Sequence, residues 1–313
     1  MINLSIGKFF ELVEIKTKLA SMIPFSLGSA FAIYRYKSFN LKNFIIMFIS
    51  LICFDMATTA INNYIDHTKA KNSSEDNSLI AKYGANKSKV LFIIFILLAI
   101  ATIAGIMLTI NTNIIVLLIG IISFIVGIFY TFGPIPISRM PLGEVFSGFF
   151  MGFVIIFLSV YIHIFDTNII SFTYQNYMLS IGINLMEIVC IFLFSIPAIG
   201  GIANIMLANN ICDVEEDIQN NRFTLPYYIG RPMALKLFKL LYYVGYVDIV
   251  LLALLRVIPL TSLFMLITLI KVNKNIKLFE DRPIKNENFV VSVKNFLLIN
   301  GSQAIIMIII VMT

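Results

Sequence analysis

Runs of roughly 20 apolar residues recur along the whole chain. Each can carry an α-helix across the hydrocarbon core of a bilayer, about 30 Å thick. The pattern therefore predicts an all-α, polytopic membrane protein. Composition agrees. Of the 313 residues, 59% are hydrophobic and 13% charged, about half the charged fraction of an ordinary soluble domain. Mean hydropathy is +0.93. Nine transmembrane helices are expected, at about 15–35, 41–66, 87–110, 113–131, 142–165, 186–211, 232–255, 257–272 and 289–311. Arg256 and Pro259 crowd the start of the eighth, and Gly133-Pro134-Ile135-Pro136 stops the fourth. No long polar linker interrupts the chain, so 1–313 reads as one domain with two internal halves.

Residues 1–16 hold Lys8, Glu11, Glu14 and Lys16 around Phe9 and Phe10. This is the pattern of an interfacial amphipathic lead-in rather than of a cleavable signal. Cys53, Cys190 and Cys212 have no metal-ligand spacing and imply no disulfide. His67 and His163 are isolated. There is no nucleophile triad, Walker loop, Rossmann fingerprint or zinc spacing.

The net charge of +6 reads as membrane topology rather than nucleic-acid binding. With the N-terminus cytoplasmic, all but four of the 23 Lys and Arg residues fall on the cytoplasmic side; the exceptions are Arg35, Lys37, Lys42 and Arg256. This asymmetry points to a multi-pass protein of the cell (cytoplasmic) membrane.

A short polar motif occurs twice. Asn62-Asn63-Tyr64-Ile65-Asp66 closes one apolar run; Asn209-Asn210-Ile211-Cys212-Asp213 closes another, and Asp217 follows one helical turn later. Each motif leads into a polar loop, a tyrosine and a glycine (Tyr83-Gly84; Tyr228 and Gly230), and a basic helix start. Both loops lie on the cytoplasmic side. Helical spacing puts Asp55, Thr59, Asn62 and Asp66 on one face, and Asn209, Asp213 and Asp217 on another. Asp55 lies about 16 Å inside its helix end. A carboxylate near mid-bilayer costs about 2.5–3.5 kcal/mol on insertion scales, so Asp55 must face protein or water. It either serves a site or bonds a neighbouring helix.

Matched acidic clusters at a membrane edge suit a divalent metal and a phosphate-rich ligand. Mg²⁺ takes one or two carboxylates and completes its shell with water and substrate phosphate. Asn62, Asp66, Asp213 and Asp217 are the candidate metal ligands, and Asn209 and Asn210 flank them. Arg222, Arg139, Lys69 and Lys71 are candidates to neutralise a diphosphate; Arg222 leads because it lies in the loop directly after Asp217. Tyr130, just before Thr131-Phe132-Gly133-Pro134, is either an interfacial anchor or a ring that stabilises a developing cation.

At these residues the chain resembles the UbiA superfamily of intramembrane prenyltransferases. The likeness is closest to the 1,4-dihydroxy-2-naphthoate polyprenyltransferases of the menaquinone pathway. It rests on 209–217 with Arg222-Phe223-Thr224-Leu225 and Gly230, and on Tyr130-Thr131-Phe132-Gly133-Pro134-Ile135-Pro136-Ile137 with Leu142-Gly143-Glu144. The resemblance implies nine helices, Mg²⁺ as cofactor, polyprenyl diphosphate as donor and an aromatic acceptor. It also implies catalytic roles for Asp66, Asp213, Asp217 and Tyr130. The first motif departs from the family pattern Asn-Asp-x-x-Asp: Asn63 stands at the first Asp, and Ala70 and Asn72 occupy the later acidic positions. Glu75 and Asp76 are candidates to compensate. The alternatives are another acceptor (4-hydroxybenzoate, homogentisate or haem type) and, in a different class, a transporter or lipid-binding protein. Transporter sites lie near the midplane, whereas both clusters here lie at helix ends.

The charge asymmetry makes a prediction. Single cysteines at Ser74 and Asn220, with the three native cysteines replaced, are expected to react only with reagent on the cytoplasmic side. Labelling of either from outside intact cells reverses the orientation.

Overall fold

The computed structural model describes residues 6–70, 87–133, 136–167 and 169–312, apart from the side chains of residues 6, 66–70, 172–175 and 179. The chain forms two compact units, Met1–Met22 with Leu41–Pro136 and Ile23–Asn40 with Ile137–Thr313. The boundary falls inside a single helix.

The first unit contains α1 (Ile6–Leu12), a 3-10 turn (Ile15–Lys18), the start of α2 (Leu19–Tyr36), α3 (Leu41–Ala70), α4 (Lys87–Asn111) and α5 (Ile114–Thr131). Helix α3 has 30 residues and neither glycine nor proline, so nothing interrupts its backbone over about 45 Å. One stripe of α4, from Val90 through Ile94, Leu97 and Ala101 to Leu108, is buried. It meets small residues of α3: Ala60 against Val90 and Ile94, Cys53 and Ala57 against Leu97 and Ala101. Small side chains let the two backbones approach closely, which is how helices gain dispersion energy where lipid competes for apolar contact. The outer stripe, with Phe92, Phe95, Ile103 and Ile110, is exposed; an apolar face turned outward suits hydrocarbon.

A buried ion pair joins the lead-in to α3. Lys18 is 3% exposed. Its Nζ donates to Asp55 Oδ1 at 2.7 Å, to the Asp55 carbonyl at 3.1 Å and to Thr59 Oγ1 at 2.6 Å. Ser21 Oγ donates to Asp55 Oδ2 at 2.5 Å. All three Lys18 protons and both Asp55 oxygens are thereby used. Of the two readings open for Asp55, the structure shows the helix-bonding one.

The second unit is built around α7 (Leu185–Cys212). Before it come α6 (Gly143–Ile164) and a hairpin of β1 (Ile170–Gln175) and β2 (Met178–Ile183); after it come α8 (Val214–Gln219), α9 (Leu225–Ile229) and α10 (Arg231–Leu254). A 3-10 segment (Leu260–Ile267) leads into α11 (Thr268–Asp281), and α12 (Lys285–Met312) closes the chain. Helix α7 is buried almost continuously from Pro197 to Ile211. Pro197 removes one ladder hydrogen bond. The Pro197 carbonyl accepts from Asn300 Nδ2 at 3.3 Å, from a π turn (Leu297–Gly301) of α12. Gly152, in the π segment Gly148–Val154 of α6, is required by contact: a Cβ there would lie 2.6 Å from the backbone N and Cα of Ile199. The far end of α7 is tied to α2. Arg35 holds Glu187 through Nε–Oε2 at 2.9 Å and Nη2–Oε1 at 3.0 Å, and Tyr36 adds a bond to Oε2 at 2.6 Å. His163 is structural: its Nδ1 accepts from the Asn40 N–H at 3.0 Å.

Among the described residues, seven helices are long and apolar enough to cross a membrane. The expected count of nine is not established. Helix α2 carries Ser, Gly and Arg35 within its 18 residues. The expected eighth span is a 3-10 segment followed by α11, which holds Lys271, Lys274 and Lys277. The hairpin was not expected; it occupies what read as a loop.

The Lys18 network predicts a stability effect. Lys18→Met leaves the largely buried Asp55 without its counter-ion, and is expected to cost about 3–5 kcal/mol. Replacing both partners, Lys18→Met with Asp55→Leu, should recover most of it. Thermal unfolding in detergent micelles measures both; equal loss in the double variant would contradict the assignment.

Candidate active site

The last turn of α7 carries the second motif out of the packed interior. Asp213 is the C-cap residue; its N–H donates to the Asn209 carbonyl at 3.1 Å. The chain then re-enters a helix at once. In α8 the Asp217 N–H donates to the Asp213 carbonyl at 2.7 Å, so the two aspartates stand one turn apart. Asn221 takes a left-handed φ of 54°, a conformation Asn tolerates better than most residues. That turn brings the Arg222 N–H back to the Asp217 carbonyl at 2.8 Å, and the Phe223 N–H then donates to the Arg139 carbonyl at 3.1 Å. The motif loop is thus docked on the short helical turn Ile137–Arg139.

Both carboxylates are buried, Asp213 at 8% and Asp217 at 3% exposure, and each has a basic partner. Lys285, at the start of α12, pairs with Asp213. Arg222 Nε lies 3.3 Å from Asp217 Oδ1, and its Nη2 donates to the Ser138 carbonyl at 3.5 Å. The buried Thr224 hydroxyl reaches Asp217 Oδ2 at 3.5 Å. Arg231 bonds Glu215 at 3.0 Å and the Ile211 carbonyl at 3.2 Å. Burial pushes the Asp217 carboxyl above the usual carboxylate range; Arg222 opposes this shift and the nearby Asp213 adds to it. A cation placed here would stabilise both charged forms.

The two asparagines of the motif part ways. Asn209 is half-buried. Asn210 is fully buried, and its Nδ2 donates to Glu144 Oε1 at 2.8 Å. Asn210 therefore faces the packed interior beside α6. Sequence reasoning missed Glu144 and Lys285 as partners. Glu144 carried a signal, since it belongs to the segment that bears the family likeness. Lys285 carried none: it is one of many basic residues in its loop and lies 72 residues from Asp213.

The first motif and Tyr130 belong to the other unit. Asn62 and Asn63 are half-buried near the end of α3. Asn63, at the family's Asp position, donates to the Leu12 carbonyl at 2.9 Å and to Glu14 Oε1 at 3.2 Å. An aspartate could make neither bond. Asp66 and Lys69 lie on α3, with side chains outside the described set. Lys71, Asn72, Glu75 and Asp76 lie outside the described residues altogether. Tyr130 is half-buried in the last turn of α5.

Among the described residues no three His, Cys, Asp or Glu side chains converge into a metal cage. The Asp213–Asp217 pair instead fits a cation that takes one or two carboxylates and draws its other oxygens from water and a phosphate ligand, as Mg²⁺ does.

Comparison with known proteins identifies relatives in sequence and in fold. A relative from Bacillus subtilis (strain 168), a 1,4-dihydroxy-2-naphthoate octaprenyltransferase, is 28% identical over 244 residues, covering 77% of this chain and 72% of the relative. The apo structure of a UbiA homolog from Aeropyrum pernix K1 superposes with a TM-score of 0.66 at 16% identity, covering 91% of this chain and 97% of that one. A UbiA homolog from Archaeoglobus fulgidus, bound to DMAPP and Mg²⁺, gives 0.63 at 13% identity, covering 98% and 99%. The family profile matches residues 21–290, and by that match over most of its length the chain belongs to the UbiA prenyltransferase family.

Proposed function

We propose that the chain is a Mg²⁺-dependent enzyme that transfers a polyprenyl group from its diphosphate to an aromatic acceptor, 1,4-dihydroxy-2-naphthoate, in quinone biosynthesis. The observation that carries this reading is the second motif. Two buried carboxylates stand one turn apart at the end of an apolar helix, each paired with a cationic side chain. The naphthoate octaprenyltransferase relative supports the acceptor. The homolog bound to DMAPP and Mg²⁺ supports the donor and the metal.

Bound Mg²⁺ supplies Lewis-acid stabilisation of the diphosphate leaving group. Asp213 and Asp217 would hold it, and Asp66 with Asn62 would be the ligand pair of the first motif. Lys285 and Arg222, which pair with these aspartates, would offer their charge to the diphosphate oxygens. Arg139 and Lys69 add to this, and Asn209 orients the cluster. The arrangement stabilises charge where it develops, the part of the barrier a protein lowers most.

The bond from the allylic carbon to the diphosphate oxygen breaks, and its electron pair leaves with the diphosphate. An electron-rich ring carbon of the acceptor supplies the new carbon–carbon bond. That carbon releases its proton to restore aromaticity, and the carboxyl group leaves the ring as CO2 with a proton taking its place, giving the reduced form of a demethylmenaquinone. The Tyr130 ring face stabilises the positive carbon. The apolar bundle holds the prenyl chain and keeps water from quenching the cation. We place the N-terminus and both motif loops on the cytoplasmic side of the cell membrane, as the basic asymmetry supports.

Asp213→Ala and Asp217→Ala are each expected to lower turnover by at least about 100-fold, on the scale of losing one charge-stabilising group, while the protein still inserts and folds. Near-normal turnover in both contradicts the assignment. Asp66→Asn is expected to weaken Mg²⁺-dependent diphosphate binding, read by titration calorimetry.

Because burial raises the Asp217 carboxyl and a ligand must be ionised to bind metal, Mg²⁺ affinity should rise with pH through that raised range and then level. Asp217→Asn should flatten the rise. The acceptor is tested separately, by restoring menaquinone synthesis in a bacterium lacking its own naphthoate prenyltransferase. Failure by an expressed protein that binds prenyl diphosphate would move the acceptor, not the reaction.

A further inference from the structure

The hairpin between α6 and α7 has no role in the reaction proposed above, yet its construction is specific. Its register pairs Ile170 with Ile183, Phe172 with Ile181 and Tyr174 with Leu179; Ser171 with Gly182, Thr173 with Ser180 and Gln175 with Met178 alternate with them. Successive residues of a strand fall on opposite faces. Among the described side chains, Ile170, Ile181 and Ile183 therefore share one register face, and Ser171 and Ser180 lie on the other with Gly182 and Met178. No residue from 170 to 183 is charged. Among the described residues β1 and β2 pair only with each other, and an isolated two-stranded hairpin is at best marginally stable in water. Its apolar face requires cover, yet Ile181 and Ile183 are 55% and 52% exposed.

The turn adds a second, independent observation. Asn176 and Tyr177 have φ of 49° and 62°, as a two-residue turn of type I′ demands. Glycine relieves that strain at the second position, and a bulky residue there is uncommon. Tyrosine occupies it with 94% of its surface exposed. A strained, exposed tyrosine at a hairpin tip is suited to a boundary that is apolar on one side and wet on the other.

We propose that this hairpin lies in the headgroup region of the bilayer, with the face bearing Ile181 and Ile183 against the acyl chains and Tyr177 in the interfacial belt. The occupant of the apolar face is lipid because of where the hairpin is held. It begins six residues after α6, a span ending at Ile164, and ends two residues before α7, a span beginning at Leu185. The Asn184 N–H bonds the Ile169 carbonyl at 2.8 Å and closes its base. A strand of six residues reaches only about 20 Å from that base. Leu185, Met186, Val189 and Phe192, at the start of α7, are exposed and apolar as well, a surface that lipid covers in a membrane span. The hairpin thereby adds an interfacial footing at the end of α7 opposite Asp213.

The chain contains no tryptophan, so a single introduced Trp reports alone. Ile181→Trp, Ile183→Trp and Ser180→Trp are prepared in the full chain and reconstituted in phosphatidylcholine–phosphatidylglycerol vesicles, with and without bromine on the acyl chains. Ile181→Trp and Ile183→Trp are expected to emit further to the blue than Ser180→Trp, and to be quenched several-fold more by bromolipid. Ser180→Trp is expected to be quenched more by aqueous iodide. Equal iodide quenching on both faces would overturn the proposal. So would protection of both same-face variants from iodide and bromolipid alike, which would mean that protein, such as a second copy of this chain, covers the face.

Discussion

Hydrocarbon offers no hydrogen-bond partner, so a polar group inside a membrane span must find one within the protein. That constraint organises this chain. Lys18 spends its three protons on Asp55 and Thr59, and both Asp55 oxygens accept, from Lys18 and Ser21. Arg35 and Tyr36 converge on Glu187. Asn300 serves the carbonyl of Pro197, and Asn204 that of Phe238 at 2.9 Å. Each contact joins elements far apart in sequence. Lipid competes for apolar contact but not for these bonds, so they select which helices are neighbours while small residues set how closely they pack.

The same constraint explains why the paired carboxylates of the second motif stand at helix ends. Asp213 caps α7 and Asp217 opens the next turn, where basic side chains from other elements can reach them. Lys285 and Arg222 are counter-ions at rest, and they are the groups that a phosphate ligand would meet once the carboxylates bind a cation. Asn210 stays inside, tied to Glu144, and so couples the motif to α6. Two neighbours in one motif thus do different work, because a helix turns by about 100° per residue.

Much of this was legible from residue order. Apolar runs of span length, the paired motifs and the Asp213–Asp217 spacing all follow from local periodicity, and the described helices begin and end within a few residues of the expected bounds in most cases. Where the reading stopped short, the cause was physical. The expected eighth span mixes an apolar half with a lysine-bearing half, so length and composition disagree there. The hairpin showed strict alternation at Ile170, Phe172 and Tyr174 and again at Leu179, Ile181 and Ile183, a period-2 signal submerged in a chain read for helical periods. Asp55 admitted two readings because a carboxylate's partner is invisible from its own helix.

The sequence by itself determined that the chain is helical and membrane-spanning, and where its carboxylates stand along each helix, because those properties depend on spacings of a few residues. Only the tertiary structure decided that Lys18 neutralises Asp55, that Lys285 and Arg222 attend Asp213 and Asp217, and that Glu144 takes Asn210 out of solvent. These pairings span up to 72 residues. Helix packing sets them, and helix packing depends on the shape of whole faces rather than on any local pattern.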